Sequence, residues 1–507
     1  MLATSLPGHD MATQIPLDRK IILAPILRVL LAFARRLRQA RTALRHPNNI
    51  PRIPIPMRPI FILPSVILIS SCVLGPEPGS PETALPSAIR GDVAPHGISF
   101  GDKAWRKVFT DSTLSTLIAR ALANNPDLVA ATYRIEAARA QAEISRAAWF
   151  PRLDGSADAA TNYRLENAGE SYGLTGFLSW EADLWGGIRR NNQAARANLL
   201  ATESQRDGVQ TSLVAAVASA YIDLKNLDER LAISRRTVES RKGSLELVTS
   251  RRDGGISSDL EVGQAEALLS QAQITIPATE QAIAAKENEI RALLGEYPGG
   301  ITRGGSLDSL SSALSIRGGL PSSLIARRPD VSAANQSFQA ATAQIGVAEA
   351  LRFPSLSLTG QGGFISSDLS NLLEKSSGAY SIGPQLAGPI FDAGAGKSRV
   401  KAAQARAKES LTAYQKAVQI AFQEAADSLN AYQKTGEIIA ESTKLVTSQK
   451  SVSTIALDRF QGGASSYLEV LDAERELFTA ELDLADSRSN RLRAVVQAYR
   501  SLGGGWK

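Results

Sequence analysis

Two stretches of this chain, about 188–251 and 397–461, each run for some sixty residues almost without glycine or proline. At about 1.5 Å per residue, a helix of that length spans roughly 90 Å. No globular core is that wide, so these stretches must lie in a coiled coil or a helical array. Composition agrees: only 6% of residues are aromatic, and Ala, Glu, Gln, Arg and Leu are abundant after position 115, which suits long helices better than a thick mixed core.

The two stretches belong to two copies of one unit. Asn125-Pro126-Asp127-Leu128 recurs as Arg328-Pro329-Asp330-Val331, and Phe150-Pro151-Arg152-Leu153 as Phe353-Pro354-Ser355-Leu356, both 203 residues later. Gly254 to Val262 recurs as Gly462 to Val470 at an offset of 208, with seven of nine residues identical, and Ala265-Glu266 matches Ala473-Glu474 in the same register. Three matches in one order indicate duplication.

Each copy has the same grammar. A helix starts at the Pro-Asp step, where proline suits the first turn and the acid suits the positive helix end. It stops at Phe-Pro. Two extended segments follow around a polar loop, at about 152–163 and 172–184, then at about 355–366 and 378–388. Next come a Gly-rich turn, the long helix, a Gly-Gly reversal, and a return helix ending near 294 or 501.

In the extended segment 172–184, Leu174, Gly176, Leu178, Trp180, Ala182 and Leu184 alternate with Thr175, Phe177, Ser179, Glu181 and Asp183. About ten residues of such a period-two pattern cross a bilayer as a tilted strand. Tyr163, Tyr172, Phe364 and Tyr380 lie near strand ends, where an interfacial belt would use them. A pair of soluble hairpins fits this patterning equally well. If the strands do enter lipid, four of them are too few to close a barrel, and open edges are not tolerated there. Several chains would have to share one barrel, and three chains would supply twelve strands.

The N-terminus reads as a processing signal. Met57 to Cys72 places Arg58 before an apolar run and then Ile69-Ser70-Ser71-Cys72, the layout of a bacterial lipobox whose cysteine is lipidated and becomes the first mature residue. The run is too short to span a bilayer as a stable helix. All three methionines, Met1, Met11 and Met57, precede Cys72. Residues 1–71 are therefore read as signal, with 57–71 the signal proper and the first 56 residues or so an over-extended start. The rival is an extended leader in which Ile21–Ala34 lies on a membrane surface. Residues 72–110 are expected to be a lipid-anchored tether, extended and mobile in its Pro/Gly/Ser portion. Val73, rather than Asp, follows the cysteine, which is compatible with outer-membrane sorting. The first copy is bounded at 111–300 and the second at 316–507.

Several function classes are excluded or weakened. The net charge is +6, but residues 1–71 hold ten Lys/Arg against two acids, so that segment is +8 and the rest of the chain is −2. No basic stripe with interleaved aromatics remains to bind nucleic acid. Cys72 is the only cysteine, and His9, His46 and His96 are the only histidines, so no CxxC or Cys/His metal cluster exists. No grouping of nucleophile and base suggests an enzyme, and no cofactor is expected beyond a covalent lipid on Cys72.

The sequence resembles the TolC/OprM family, the outer-membrane factors of tripartite efflux systems, and more closely its NodT-like lipoprotein branch. The carrying residues are Cys72 with Leu74-Gly75-Pro76, Ala326-Arg327-Arg328-Pro329-Asp330, Phe150-Pro151 and Phe353-Pro354. Glu181-Ala182-Asp183-Leu184-Trp185-Gly186, Pro389-Ile390-Phe391-Asp392 and the two Gly-Gly turns complete the set. The likeness covers roughly 72–507. It implies a mainly α protein with a membrane β-barrel: four strands per protomer, a homotrimer with a twelve-stranded barrel, and a long α-helical tunnel in the periplasm. It also implies passive conduction of small molecules, such as drugs and toxic compounds, from the periplasm or a pump to the exterior. An inner-membrane pump, of the RND type or similar, would supply the energy through a periplasmic adaptor protein, with outer-membrane lipid around the barrel.

By the same resemblance, Gly254, Gly255, Gly462 and Gly463 fall at the periplasmic tip that meets the adaptor, where glycine permits a tight helix reversal. Glu469 and Asp472, three residues apart on one helix face, correspond to the paired acids of a pore constriction. Two acids per chain would give a trimer six carboxylates around its axis, attracting cations. The first copy has Glu261 and Gln264 there, so it is only half acidic. The competing reading is a lipid-anchored periplasmic coiled-coil scaffold or adaptor that never spans the membrane; it gives the paired hairpins no role.

Overall fold

The computed structural model describes residues 73–506, apart from 83, 93–98, 165–166 and 308–315. The signal region 1–71, the Met57 start, the lipidation candidate Cys72, His9, His46 and His96 lie outside the described residues, as does the Tyr163 side chain.

The duplication reappears as matched lengths. Short helix α1 (Ser112–Asn124) leads into α2 (Pro126–Ala147), and α5 (Pro321–Arg327) leads into α6 (Pro329–Ala350); α2 and α6 have 22 residues each. The long helices α3 (Gly187–Asp253) and α7 (Ala395–Gln461) have 67 residues each, and the return helices α4 (Asp259–Leu293) and α8 (Tyr467–Ser501) have 35 each. Each long helix is about 100 Å long. The drift in offset from 203 to 208 is absorbed between Ser355 and Ala395, where an eleven-residue connection with two short 3-10 turns joins the strands.

Side chains cap several of the helix starts. The Asn125 side chain accepts from the Asp127 and Leu128 amides ahead of Pro126. Asp183 accepts from the amides of Ile188 and Arg189 at the start of α3, and Asp392 plays the same part for α7 through Gly394 and Gly396. An acid at a helix start satisfies orphan N–H groups and the dipole together.

The four strands β1 (Arg152–Arg164), β2 (Asn167–Ala182), β3 (Ser355–Ser366) and β4 (Gly378–Ala387) form one antiparallel sheet in the order β1-β2-β3-β4. β2 begins at Asn167, five residues before the sequence expectation, because the ladder continues through Arg164↔Asn167. Polar residues carry a strand as well as apolar ones where both faces meet water.

The register sorts the two faces. Leu153 lies opposite Leu178, which lies opposite Gly360 and then Ile382; Leu174 pairs with Phe364, Trp180 with Leu358, and Leu356 with Leu386. These share one face. The other carries Asp154, Ser156, Asp158, Thr175, Ser179, Glu181, Ser357, Thr359, Gln361, Ser381 and Gln385, with Phe177 and Ile365 as apolar exceptions. Aromatics mark both ends of the apolar face. Tyr172, Phe364 and Tyr380 stand at the hairpin end. Trp180 stands at the helix end, where its indole donates to the Trp149 carbonyl at 3.0 Å. From Tyr172 to Trp180 is about 26 Å along the strand.

Helices form a wall one layer thick. Beneath the sheet the neighbours run α2–α3–α6–α7; further down they run α4–α3–α8–α7. At the middle, the largest core gathers Phe100, Phe109, Leu114, Ile118, Tyr221, Leu224, Ile290, Leu324 and Tyr499. Phe100 and Phe109 meet the Tyr499 ring edge-on at 5.8 and 5.9 Å, and its hydroxyl donates to the Lys103 carbonyl. Arg328 ties this region together, bonding Asp330, Glu424 and the Ser501 carbonyl. Among the described residues, no helix is long and apolar enough to cross a membrane.

The segment after Cys72 is not a mobile tether. Leu74 donates to the Trp185 carbonyl, and Arg190 holds the carbonyls of Leu74 and Gly75 and the Glu77 carboxylate. Ser80 bonds Asn335, and the Gly91 carbonyl accepts from Gln433. Proline and glycine here shape a docked strap, because its carbonyls find fixed donors along the helical wall.

Candidate functional site: the hairpin tips

The far ends of the two helical hairpins meet in a small core of Val248, Val262, Ala265, Ala456, Phe460, Tyr467, Val470 and Ala473, drawn from all four long and return helices. Both reversals are built alike. Ile256 N–H donates to the Arg251 carbonyl, and Ala464 N–H donates to the Arg459 carbonyl, both at 2.8 Å. These are the six-to-one bonds of a Schellman-type helix end. Only the second glycine of each pair is left-handed: Gly255 and Gly463 both have φ +74, whereas Gly254 and Gly462 have φ −80 and −74. The left-handed conformation that a tight reversal needs thus falls on the second glycine of each pair. Arg251 joins the tips, donating to the Gln461 carbonyl at 3.1 Å and lying over the Phe460 ring at 4.7 Å.

The return helices begin with the same Ser-x-x-Glu, and they use it differently. In α4, Ser258 and Glu261 form a capping box, with the Ser258 amide donating to the Glu261 carboxylate at 2.8 Å. In α8, Ser466 is the N-cap residue without a side-chain cap bond, so Glu469 is not held as a cap. Glu469 and Asp472 both stand exposed on α8. They continue into Glu476, Thr479 and Asp483, an exposed stripe with spacings of three and four. Asp472 also accepts from Arg475, one turn along. That arginine was not singled out from the sequence, although its i+3 spacing from Asp472 was the available signal.

A second feature missed from sequence lies inside the wall. Glu474 on α8 is buried and accepts from the Ser244 hydroxyl of α3 at 2.6 Å. Arg241, also buried on α3, donates to the Leu268 carbonyl of α4 at 2.7 Å and lies over the Phe478 ring of α8 at 5.1 Å. Burial pushes the Glu474 carboxyl above its ordinary range, against the Ser244 hydroxyl and the Arg241 charge, which both favour ionisation. Burial lowers Arg241, opposed by Glu474 and Tyr467. Tyr467 is pushed up to about 12 by burial and then by the Glu474 charge. The matching residue of the first copy, Glu266, is exposed. Cys72 lies outside the described residues; Val73, which follows it, is half-buried beside Gly186 at the sheet base. Among the described residues, no group of three or more His, Cys, Asp or Glu is arranged to hold a metal ion.

The chain is similar to known proteins over most of its length. It is 33% identical over 464 residues to the solvent efflux pump outer membrane protein SrpC of Pseudomonas putida, covering 88% of this chain and 98% of that protein. It is 32% identical over 460 residues to the cation efflux system protein CusC of Escherichia coli K12, covering 89% and 100%. Among solved structures, the outer-membrane channel OprN superposes with a TM-score of 0.80 at 32% identity, covering 86% of this chain and all of that one. CusC superposes with a TM-score of 0.79 at 31% identity, with 86% and 100% covered. The family model described as outer membrane efflux protein matches residues 117–296 and 320–504. The chain belongs to the outer membrane efflux protein family.

Proposed function

We propose that this chain is one subunit of a trimeric outer-membrane channel that passively conducts small molecules delivered by an inner-membrane pump and a periplasmic adaptor. The observation that carries this reading is the sheet. Its four strands present one apolar and one polar face, and β1 and β4 each keep one edge unpaired among the described residues. In lipid such edges must pair. The smallest barrels need about eight strands, so other copies must supply the rest. The helical wall has the same form, with α2 and α4 at one side and α7 at the other. On α7, Ile438, Leu445 and Val452 stand about half exposed at spacings of seven, a coiled-coil seam awaiting a neighbour. Head-to-tail closure of three copies joins β4 to the next β1 and α7 to the next α2 and α4.

The polar sheet face would then line the lumen, and the tip would form the periplasmic entrance. There the exposed α8 stripe carries Glu469 and Asp472 as the entrance ring. Arg475 offsets part of the Asp472 charge, so Glu469 supplies most of the net negative field. Nothing in the chain performs chemistry: the pump supplies energy, and adaptor binding at the Gly255 and Gly463 tips favours an open arrangement by binding it better. Cys72 carries the lipid anchor. A scaffold that never enters the membrane leaves the two-faced sheet without a purpose.

Planar-bilayer conductance tests the entrance. Glu469→Ala with Asp472→Ala lowers cation selectivity, with Glu469→Ala alone giving the larger share, and Arg475→Ala raises it. Unchanged selectivity in all three removes the ring.

A further inference from the structure

Arg190 is the largest fully buried side chain in the described structure, with 1% of its side chain exposed. It sits in the first turn of α3, where β2 gives way to the helical wall. A buried guanidinium needs its donors filled, and these are filled mainly by the strap. Nε donates to the Leu74 carbonyl at 3.1 Å, and Nη2 to the Gly75 carbonyl at 3.0 Å. The Glu77 carboxylate accepts from both Nη atoms at 3.1 and 3.2 Å, and Gln193 accepts the remaining bond.

The slot is shaped as well as charged. A Cβ on Gly75, whose φ is +81, would lie 2.5 Å from the Gly346 Cα, and a Cβ on Gly346 would lie 2.6 Å from the Leu74 carbonyl oxygen. A Cβ on Gly186 would lie 2.9 Å from the Val73 Cα. Backbone thus meets backbone at three glycines, and only a strap in this register fits. Val73 is thereby seated at the sheet base, and consecutive Cα atoms are only about 3.8 Å apart, so the chain before it must leave from there. There Trp185 stacks on Phe353 at 4.7 Å.

We propose that Arg190 and the glycines around it form a binding slot for residues 73–77 of this chain, which pins the lipid-bearing Cys72 at the sheet base and so sets where the acyl chains enter the leaflet. This rests on the lipoprotein reading of Cys72. Arg190 acts as a positioning residue: its planar fork serves two carbonyls and a carboxylate at once, which a lysine cannot do.

The test uses the full chain expressed in membranes of cells fed a photoreactive palmitate. In the unaltered protein, label appears on Cys72 and photo-crosslinks map to the base of β2 and β3. Arg190→Met and Gly75→Ala retain the label, lose crosslinks at the sheet base at least about fivefold, and are cleaved between residues 73 and 92 at least about tenfold faster by a broad protease, as release of a locally ordered segment requires. Cys72→Ser loses the label and keeps the strap protected, which separates the slot from the lipid. Glu77→Gln, whose carboxylate end is mostly exposed, guards against misfolding and gives a smaller rise in cleavage. Unchanged crosslinks and cleavage in both Arg190→Met and Gly75→Ala overturn the slot. Absence of label on the unaltered chain overturns the lipoprotein reading instead, and cleavage alone then judges the slot.

Discussion

Replacing Arg241 with methionine isolates what the buried charges near the tip do. Methionine keeps much of the apolar stem. It removes the bond to the Leu268 carbonyl, the contact over Phe478, and the positive charge that favours ionised Glu474. Removing one member of a buried charge pair costs about 3–5 kcal/mol. Arg241 and Glu474 couple through space rather than by a direct bond, so the lower end, about 3 kcal/mol near neutral pH, is expected. The cost has a defined pH dependence. A carboxyl whose folded pKa is raised contributes its stability below its ordinary value, near 4.5, and loses it as pH rises through the folded value. Without Arg241 the folded value rises further, so Arg241→Met should unfold more readily than the unaltered protein at about pH 7.5 and much less so at about pH 5.

The assay is urea unfolding of the detergent-purified protein followed by far-UV circular dichroism, with midpoints compared under one protocol because large membrane proteins unfold irreversibly. Adding Glu474→Gln retains an acceptor for Ser244 and removes the titrating group, so the double variant should lose the extra pH dependence. A loss of equal size at both pH values, or a slope that persists in the double variant, refutes the assignment.

Two further outcomes follow from geometry. Gly463→Ala forces a side chain into φ +74 and costs about 1–2 kcal/mol, whereas Gly462→Ala, at φ −74, is neutral or gains about 0.4–1 kcal/mol; hydrogen exchange across 458–468 distinguishes them. On the sheet, Ile382→Arg on the apolar face loses about 2–4 kcal/mol of folded barrel in lipid, while Gln361→Arg on the polar face loses little; the fraction resisting heat on gels reads this directly.

Much of the wall was legible because its signals are periodic. Helix lengths, the Phe-Pro stops and the strand alternation recur in both copies, and the structure reproduces them within a few residues. The sheet faces followed from β2 alone, since side chains alternate and neighbours inherit the register. What the sequence could not yield were facts of rotation and of distant pairing. Arg190 looks like any arginine at a helix start until Leu74, Gly75 and Glu77 arrive from more than a hundred positions away. Pro76 and Gly75 suggest a loose linker, because composition alone does not reveal whether a segment has a slot to fill.

The matched residues Glu266 and Glu474 locate the limit more sharply. They sit in identical Ala-Glu steps 208 apart, yet one is exposed and the other is buried against Ser244. The copies are equal in length, but α3 lies between α4 and α8 in the wall, whereas α7 has only α8 on that side. α8 is therefore covered on two flanks, and α4 has one flank left for another chain. The first copy closes its tip with a capping box and leaves its second acid outside. The second copy leaves Glu469 uncapped and turns Glu474 inward. Duplication supplies one motif twice, and within the unequal surroundings of α4 and α8 one carboxylate caps, one stands exposed, and one is buried in the wall.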